Sequence, residues 1–134
     1  MPDLAYFDLP IQGDEGFPQA FRLAFNGASY SIALYVNSSE EDLRALPEDG
    51  FLELGVRPPD VAPMESSFMV MRVAREAPGG PQLIFFRKLV PNLGYPAVEL
   101  SFWFGRISVA KRNINGAGTF GSQVKGYVAA RWAL

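Results

Sequence analysis

The chain has 134 residues, with 12 Lys and Arg against 14 Asp and Glu, and it contains neither cysteine nor histidine. This length fits one domain that can bury a hydrophobic core without a disulfide or a metal. The missing residue types exclude thiolate nucleophiles, metals ligated by cysteine or histidine, and catalytic triads. Carboxylates, Lys, Tyr and Ser are the side chains left for catalysis, and from this composition we assign no catalytic residue, no cofactor and no metal site.

The charge pattern also limits the partners. A net charge of −2 provides no electrostatic footprint for nucleic acid or an anionic membrane. The N-terminus has no basic region followed by an apolar stretch, and no apolar run approaches the roughly 18 residues of a spanning helix. We therefore expect a protein that is made in a cytoplasm and binds neither membrane nor nucleic acid.

Charged residues make up 19% of the chain, below the usual value of about 25%. A small domain with few charges often covers part of its surface with a partner protein. The alternative is a crowded core beneath a free surface that carries few charges.

The first predicted unit is a hairpin. Apolar side chains alternate along residues 21–25 and again along residues 30–36, which is the period of a strand with one buried face. Asn26-Gly27 lies between them, and both residues tolerate the positive φ angles of a tight hairpin turn.

One short helix is predicted over Ser39–Leu46. Ser38 and Glu41 have the spacing of a capping box, and acidic residues crowd the first turn, where the helix dipole favours them. Pro47 is expected to end the helix.

The rest of the chain is predicted to form strands separated by Gly- and Pro-rich turns. These strands cover residues 51–56, 67–75, 82–90, 98–110 and 123–133. With the hairpin they give seven or eight strands in one β domain over residues 1–134. The expected fold is all-β, an antiparallel β-barrel or sandwich with one short helix.

Two segments depart from this pattern. Residues 1–16 are acidic and contain two glycines, which fits either an N-terminal arm that docks on a neighbour or a frayed end.

Residues 112–122 form a Gly-rich loop in which residues 116–121 match G-x-G-x-x-G. A dinucleotide site needs a helix after this motif, and a strand is predicted there instead. The glycines therefore indicate a flexible loop between strands, or one that inserts between subunits.

Two further functions stay open from the residues alone. Glu53, Glu65, Glu76 and Glu99 lie on or beside predicted strands and could supply the carboxylate pair of a glycosidase. Glu99 is the most interesting because aromatic residues lie nearby, although simple alternation places it outward. The aromatic residues Tyr35, Trp103, Tyr127 and Trp132 could form a platform in a small β-barrel ligand- or carbohydrate-binding module.

Two stretches resemble parts of known phage proteins. Residues 17–37, FPQAFRLAFNGASYSIALYVN, combine a Pro-containing lead, a strand, a Gly turn, a Tyr-led strand and a final Asn. This stretch resembles the start of small β-rich plug-type proteins of bacteriophage tail baseplates. Residues 113–122, NINGAGTFGS, followed by VAARWA at 128–133, are similar to C-terminal segments of phage tail-tip proteins. After Asn37 the plug-type proteins carry a Trp-containing strand, where this chain has the acidic helix segment.

The resemblance implies a structural, non-enzymatic component at the tip or baseplate of a phage or phage-derived tail, and hence a place in the virion. Its partners would be copies of itself and neighbouring tube, hub or baseplate proteins. A chain without cysteine suits folding in a reducing host cytoplasm. The residues expected at these contacts are Phe17, Trp103, Asn115, Phe120, Tyr127 and Trp132.

Overall fold

Residues 4–54 and 67–132 are described in a computed structural model of the protein. In these two ranges the chain forms nine strands and one short α-helix, and the strands divide into two antiparallel sheets. The all-β prediction with one short helix is confirmed. Of the two architectures expected, the pair of sheets corresponds to the sandwich.

The strands are β1 (Phe7–Asp8), β2 (Gln19–Phe25), β3 (Ala28–Asn37), β4 (Phe51–Glu53), β5 (Phe68–Arg75), β6 (Gln82–Lys88), β7 (Gly94–Ala97), β8 (Leu100–Ala110) and β9 (Gln123–Ala130), and the helix α1 is Glu40–Ala45. One sheet has the order β2-β3-β5-β6. The other has the order β1-β9-β8-β4, and β7 also pairs with β8. Short 3-10 turns lie at Gly13–Glu15 and Lys111–Asn113.

The predicted hairpin is β2–β3. Phe25 pairs with Ala28, and the two residues of the turn, Asn26 and Gly27, have φ angles of 52° and 83°. Both lie in the left-handed region that this residue pair tolerates. The alternation on the return strand is confirmed as well, because Tyr30, Ile32 and Leu34 are buried.

The helix is present but begins from a different cap. Ser39, not Ser38, is the N-cap, and its hydroxyl oxygen accepts a hydrogen bond from the Asp42 amide over 3.1 Å. Ser39 has the extended backbone that an N-cap requires, with φ −84° and ψ 153°. Leu43 and Leu46 pack against the core. The helix ends before Pro47, as predicted.

Two of the strands escaped prediction, and both are short edge strands. β1 has two residues and pairs with β9 through Phe7 and Val128. β7 contains Pro96, which an edge strand accepts because it needs no amide donor on its outer side. Leu9 is buried, so the N-terminal residues from β1 to the 3-10 turn pack on their own domain. The end of the predicted strand 51–56 lies outside the described residues.

The hydrophobic core lies between the two sheets. Phe85 of β6 crosses the gap, and its ring centre is 5.6 Å from that of Tyr95 on β7 and 5.8 Å from that of Phe102 on β8. On β9, Gly126 leaves room for the Phe104 ring: a Cβ at this glycine would lie 2.5 Å from a ring carbon. That space is needed because sandwich cores are packed closely.

The substitution Gly126→Ala is therefore expected to lower the free energy of unfolding by about 1–3 kcal/mol, the usual cost of an overpacked core. Urea denaturation measures this loss. The matched control is Gly79→Ala in the exposed turn before β6, where an added Cβ meets nothing within 4 Å. It should change stability by less than about 0.5 kcal/mol. Equal effects of the two substitutions would contradict the packing argument.

Candidate interaction surfaces

Three segments meet at one end of the sandwich: the β2–β3 turn, the β7–β8 turn and the residues after β9. The Asn26 side-chain amide donates to the Trp132 carbonyl oxygen over 3.1 Å, and the Arg131 guanidinium donates to the Val98 carbonyl oxygen over 2.9 Å. The same guanidinium lies 5.0 Å from the centre of the Trp132 ring. We call the surface formed by Asn26, Val98, Arg131 and Trp132 the turn-end surface.

Two large apolar side chains are exposed on the turn-end surface. Val98 is 49% exposed and Trp132 is 48% exposed. The sequence pattern placed Trp132 on the last strand with Val124 and Val128, but β9 ends at Ala130. Trp132 therefore lies beyond the strand and escapes its alternation. Trp and Arg are residue types that protein contacts favour.

Val98 has a backbone conformation that is rare for its residue type. Its φ is 54°, in the left-handed region where the Cβ of a β-branched residue crowds the backbone. Such a conformation costs on the order of 1–3 kcal/mol and persists only where the surrounding structure enforces it. The structural support comes from the next residue, Glu99.

Glu99 is a fully buried carboxylate that links the two sheets. It accepts a hydrogen bond from the Tyr30 hydroxyl over 2.7 Å and one from Arg75 Nε over 2.6 Å, and it also pairs with Arg75 Nη2. Tyr30 lies on β3 and Arg75 on β5, in the other sheet. The Glu99 carbonyl oxygen accepts from the Arg131 amide over 2.7 Å, so this network lies directly against the turn-end surface.

The expectation that alternation turns Glu99 outward is wrong. Ala97 pairs with Leu100, so Val98 and Glu99 form the two-residue turn between β7 and β8. Alternation applies only to extended strands. The turn reverses the two roles, because it exposes the valine and buries the glutamate.

The electrostatics of this network keep the pair charged. Hydrogen bonding to Arg75 lowers the pKa of Glu99 to about 2, against the opposing effect of burial. The same contact raises the pKa of Arg75. Burial, together with the hydrogen bond to the Glu99 carboxylate, raises the pKa of Tyr30 to about 12.

Two of the other three glutamates proposed for a hydrolase also pair with arginines. Glu53 pairs with Arg106 and accepts from Ser108 over 3.0 Å, and the Arg106 contact lowers the pKa of Glu53. Glu76 pairs with Arg22 at 2.6 Å. Glu65 lies outside the described residues. The lowered pKa values make Glu53 and Glu99 poor proton donors near neutral pH.

The Gly-rich loop is held in place by one buried side chain. The Asn113 amide nitrogen donates to the carbonyl oxygens of Gly116 and Gly118 over 3.2 and 3.1 Å, and its oxygen accepts from the Ser122 hydroxyl over 2.6 Å. Asn113 is fully buried. Gly118 has a φ of 153°, and a Cβ there would lie 2.5 Å from the Phe120 ring. The G-x-G-x-x-G spacing thus serves close packing and a positive φ, and the loop is a built structure rather than an open one.

Three predicted contact residues lie on or beside this loop. Phe17 is 1% exposed, so its ring belongs to the core and offers almost no surface to a partner. Asn115 is exposed, and its backbone amide donates to the Phe17 carbonyl oxygen over 2.7 Å. Phe120 is half-buried and carries the Arg112 guanidinium 5.6 Å from its ring centre.

Trp103 and Tyr127 come together on the outer face of the five-stranded sheet. They are directly paired residues of β8 and β9, and their ring centres are 5.4 Å apart. Gly94 of β7 is paired with Trp103 on its other side, and a Cβ there would meet nothing within 4 Å. Tyr6 lies on this face too, with its hydroxyl 3.2 Å from that of Ser101. We call Tyr6, Trp103 and Tyr127 the aromatic face.

A groove of about 520 Å³ continues from the aromatic face. The segment from Leu9 to Gly13 forms one wall and residues 122–127 form the other. Asp8, Gln123, Lys125 and Tyr127 contribute to its lining. Tyr35, the remaining aromatic of the predicted platform, lies on β3 in the other sheet, and Trp132 belongs to the turn-end surface. The structure therefore unites only two of the four predicted residues.

No helix within residues 4–54 and 67–132 is long and apolar enough to cross a lipid bilayer. No group of three or more Asp and Glu side chains in the same ranges is arranged to hold a metal ion. Comparison of the chain with protein-family models, curated proteins and solved structures gives no match.

The sequence pattern did not predict the network that joins Glu99 to Arg75 and Tyr30. Arg75 lies 24 positions from Glu99, and Tyr30 lies 69 positions from it. No local pattern connects residues that far apart. The one available signal was a glutamate among aromatic residues in a strand-rich segment.

The buried Glu99–Arg75 pair predicts how the free energy of unfolding depends on pH. The pKa of Glu99 falls from 4.5 to about 2 on folding, so its contribution to stability is complete above pH 4.5 and is lost as the pH falls toward 2. Glu99→Gln should cost on the order of 3 kcal/mol at pH 7, and this difference from the wild type should shrink below pH 4.5. Urea denaturation across this pH range measures both.

The control is Glu53→Gln, which breaks the more exposed pair with Arg106. Because exposed pairs contribute little, it should cost less than about 1 kcal/mol. A Glu99→Gln difference that is the same at pH 7 and at pH 2.5 would contradict the role of the ionised carboxylate.

Proposed function

We propose that this chain is a structural subunit at the tip or baseplate of a phage or phage-derived tail. It acts by binding copies of itself and neighbouring tail proteins, without catalysis. The observation that carries the proposal is the turn-end surface, where Val98 and Trp132 are exposed at about half of their area. The resemblance of residues 17–37 and 113–133 to tail proteins supplies the type of assembly.

The physical support is that this surface is already held by contacts within the domain before any partner binds. The Val98 turn is backed by a buried ion pair to the other sheet, and the Trp132 backbone is fixed by Asn26. A contact that is already ordered loses less conformational freedom on association.

The proposal predicts that Trp132→Ala weakens incorporation into tail particles. A tagged copy is expressed in cells that carry the gene and release such particles, and the particles are purified by sedimentation. Wild-type protein should co-sediment, and immunogold labelling should place it at one end of the tail. The variant should be at least about tenfold less abundant on the particles, since truncating a central Trp typically costs about 2 kcal/mol or more.

Tyr35→Ala is the matched control, because Tyr35 is also an exposed aromatic, at 38%, but lies on the other sheet away from this surface. It should be incorporated like the wild type. Thermal denaturation of the purified variants verifies that both fold. Particles that lack the wild-type protein while it is abundant in the same cells would overturn the proposal.

The aromatic face favours a second candidate, a carbohydrate-binding module. Sugar rings stack on flat aromatic side chains, and nearby polar groups bind their hydroxyls. Trp103 and Tyr127 supply adjacent rings, with an open flank at Gly94. The neighbouring groove supplies Asp8 and Lys125.

Trp132→Ala leaves Trp103 as the one tryptophan of the chain, so its fluorescence reports on the aromatic face alone. Titration of this variant with neutral oligosaccharides should give a saturable change in emission if the module reading is correct. Adding Tyr127→Ala should abolish the change. A flat titration up to the solubility of a panel of glucans, chitin fragments and galactans would remove this candidate.

A further inference from the structure

The sandwich has two lateral sides with different chemistry. On one side β1 lies next to β2, with the Phe7 and Phe25 ring centres 5.6 Å apart. On the other side β7 lies next to β6 through the Tyr95–Phe85 contact. β2 and β6 are the two edge strands of the four-stranded sheet, and in the described ranges each pairs with one neighbour. No strand of the described residues covers their outer backbone groups, which can therefore pair with a strand of another chain.

Acidic residues lie just before β2 on the first side, and basic residues end β6 on the second. Asp14 and Glu15 lie in the 3-10 turn just before β2, and the side-chain amide of Gln19, at the start of β2, donates to the Gly16 carbonyl oxygen over 2.9 Å. Arg87 and Lys88 end β6. Glu15 and Arg87 are exposed. In the described part of the chain, neither takes part in an ion pair.

The outer face carries large apolar side chains at the β6 edge and small ones at the β2 edge, so the two edges can fit together. Leu83 and Phe86 on β6 are 53% and 56% exposed. The register shift in β5–β6 pairs them with Ala74 and Arg72, so both large side chains lie on the outer face of the sheet. On β2 the exposed residues of that outer face are Ala20, Arg22 and Ala24. Two alanines leave room beside β2 for large side chains from another chain.

The direction of the strands brings the opposite charges to the same level. Each neighbouring pair in the order β2-β3-β5-β6 is antiparallel, so β6 is antiparallel to β2. Suppose that β6 of one copy pairs with β2 of a second copy and that the two sheets form one continuous antiparallel sheet. The C-terminal end of β6 then lies beside the N-terminal end of β2. Arg87 and Lys88 then lie next to Asp14 and Glu15.

We infer that the partner of the β2 edge is the β6 edge of a second copy of this chain, joined by antiparallel strand pairing. The contact uses two different surfaces, so it is head-to-tail, and a joined pair of copies keeps one free β2 edge and one free β6 edge. Repetition gives a closed ring or a filament with one continuous sheet. The inference rests on the proposed function and names the self-contact within it, which is distinct from the turn-end surface.

Charge reversal tests this contact directly. The wild-type mass, measured by light scattering over a concentration series at low salt, should rise above that of the monomer, and added salt should weaken the association. Glu15→Arg and Arg87→Glu each place like charges together and should weaken the association at least tenfold. The double variant Glu15→Arg/Arg87→Glu restores an opposite pair and should recover the association of the wild type.

Two further variants separate charge from packing. Arg106→Glu changes the charge of an exposed residue on β8, in the other sheet, and should leave the mass curve unchanged. Phe86→Ser keeps every charge and should weaken association, whereas Tyr35→Ser, on the outer face of the same sheet, should not. Circular dichroism establishes that each variant is folded.

The outcomes distinguish this inference from the proposed function. A wild-type protein that stays monomeric at every concentration and salt, or a double variant as weak as the single ones, overturns the edge contact. Either result leaves the particle experiment with Trp132→Ala to decide the tail role. Association of the wild type that Glu15→Arg and Arg87→Glu leave unchanged also overturns the edge contact.

Discussion

The ion pair between Glu99 and Arg75 is the contact on which one end of this fold depends. A fully buried carboxylate is tolerated only when it is paired and hydrogen-bonded. Glu99 meets that condition with groups from the opposite sheet, and Arg75 continues the network to Gln82 at the start of β6 over 2.7 Å. One turn of the five-stranded sheet is thereby held by three strands of the other sheet. The positive φ of Val98 is what a two-residue hairpin turn requires of its first residue, and Glu99 anchors that turn to the other sheet.

The other end of the sandwich uses the same principle with a neutral side chain. Asn113 follows β8 at the end opposite to Glu99, and all of its side-chain hydrogen-bonding groups are satisfied within the Gly-rich loop and Ser122. The N-terminal segment is attached to this loop, because the Gly118 amide donates to the Asp14 carbonyl oxygen over 2.7 Å. Between these polar anchors the core is apolar. The loops at both ends are therefore fixed parts of the domain.

This rigidity is what the proposed assembly role requires. The turn-end surface, the aromatic face and the two lateral edges lie on different parts of the sandwich, so one subunit can contact several neighbours at once. A subunit of a closed assembly must present its surfaces at constant angles, and strain or motion in the connecting loops would spread those angles. Polar anchors at both ends, with sheets between them, limit that spread.

How much the sequence predicts depends on how local the interaction is. Alternation and Asn26-Gly27 were sufficient for the β2–β3 hairpin, and the acidic first turn with Pro47 was sufficient for α1, because the forces involved act over a few residues. The same reasoning missed β1 and β7, since two- and four-residue edge strands form only where a longer strand is already present. It also placed Glu99 on the wrong side, because a turn interrupts the alternation.

By itself, the amino-acid sequence determined the all-β class, the positions of the long strands and the exclusion of cysteine and histidine chemistry. Of the six residues expected at contacts, the tertiary structure left Trp132 exposed at one end, paired Trp103 with Tyr127 on one face and placed Phe17 in the core. It alone decided that Glu99 meets Arg75 and Tyr30, and that acidic and basic edges lie on opposite sides. These relations join residues tens of positions apart, so they arise only when the two sheets pack.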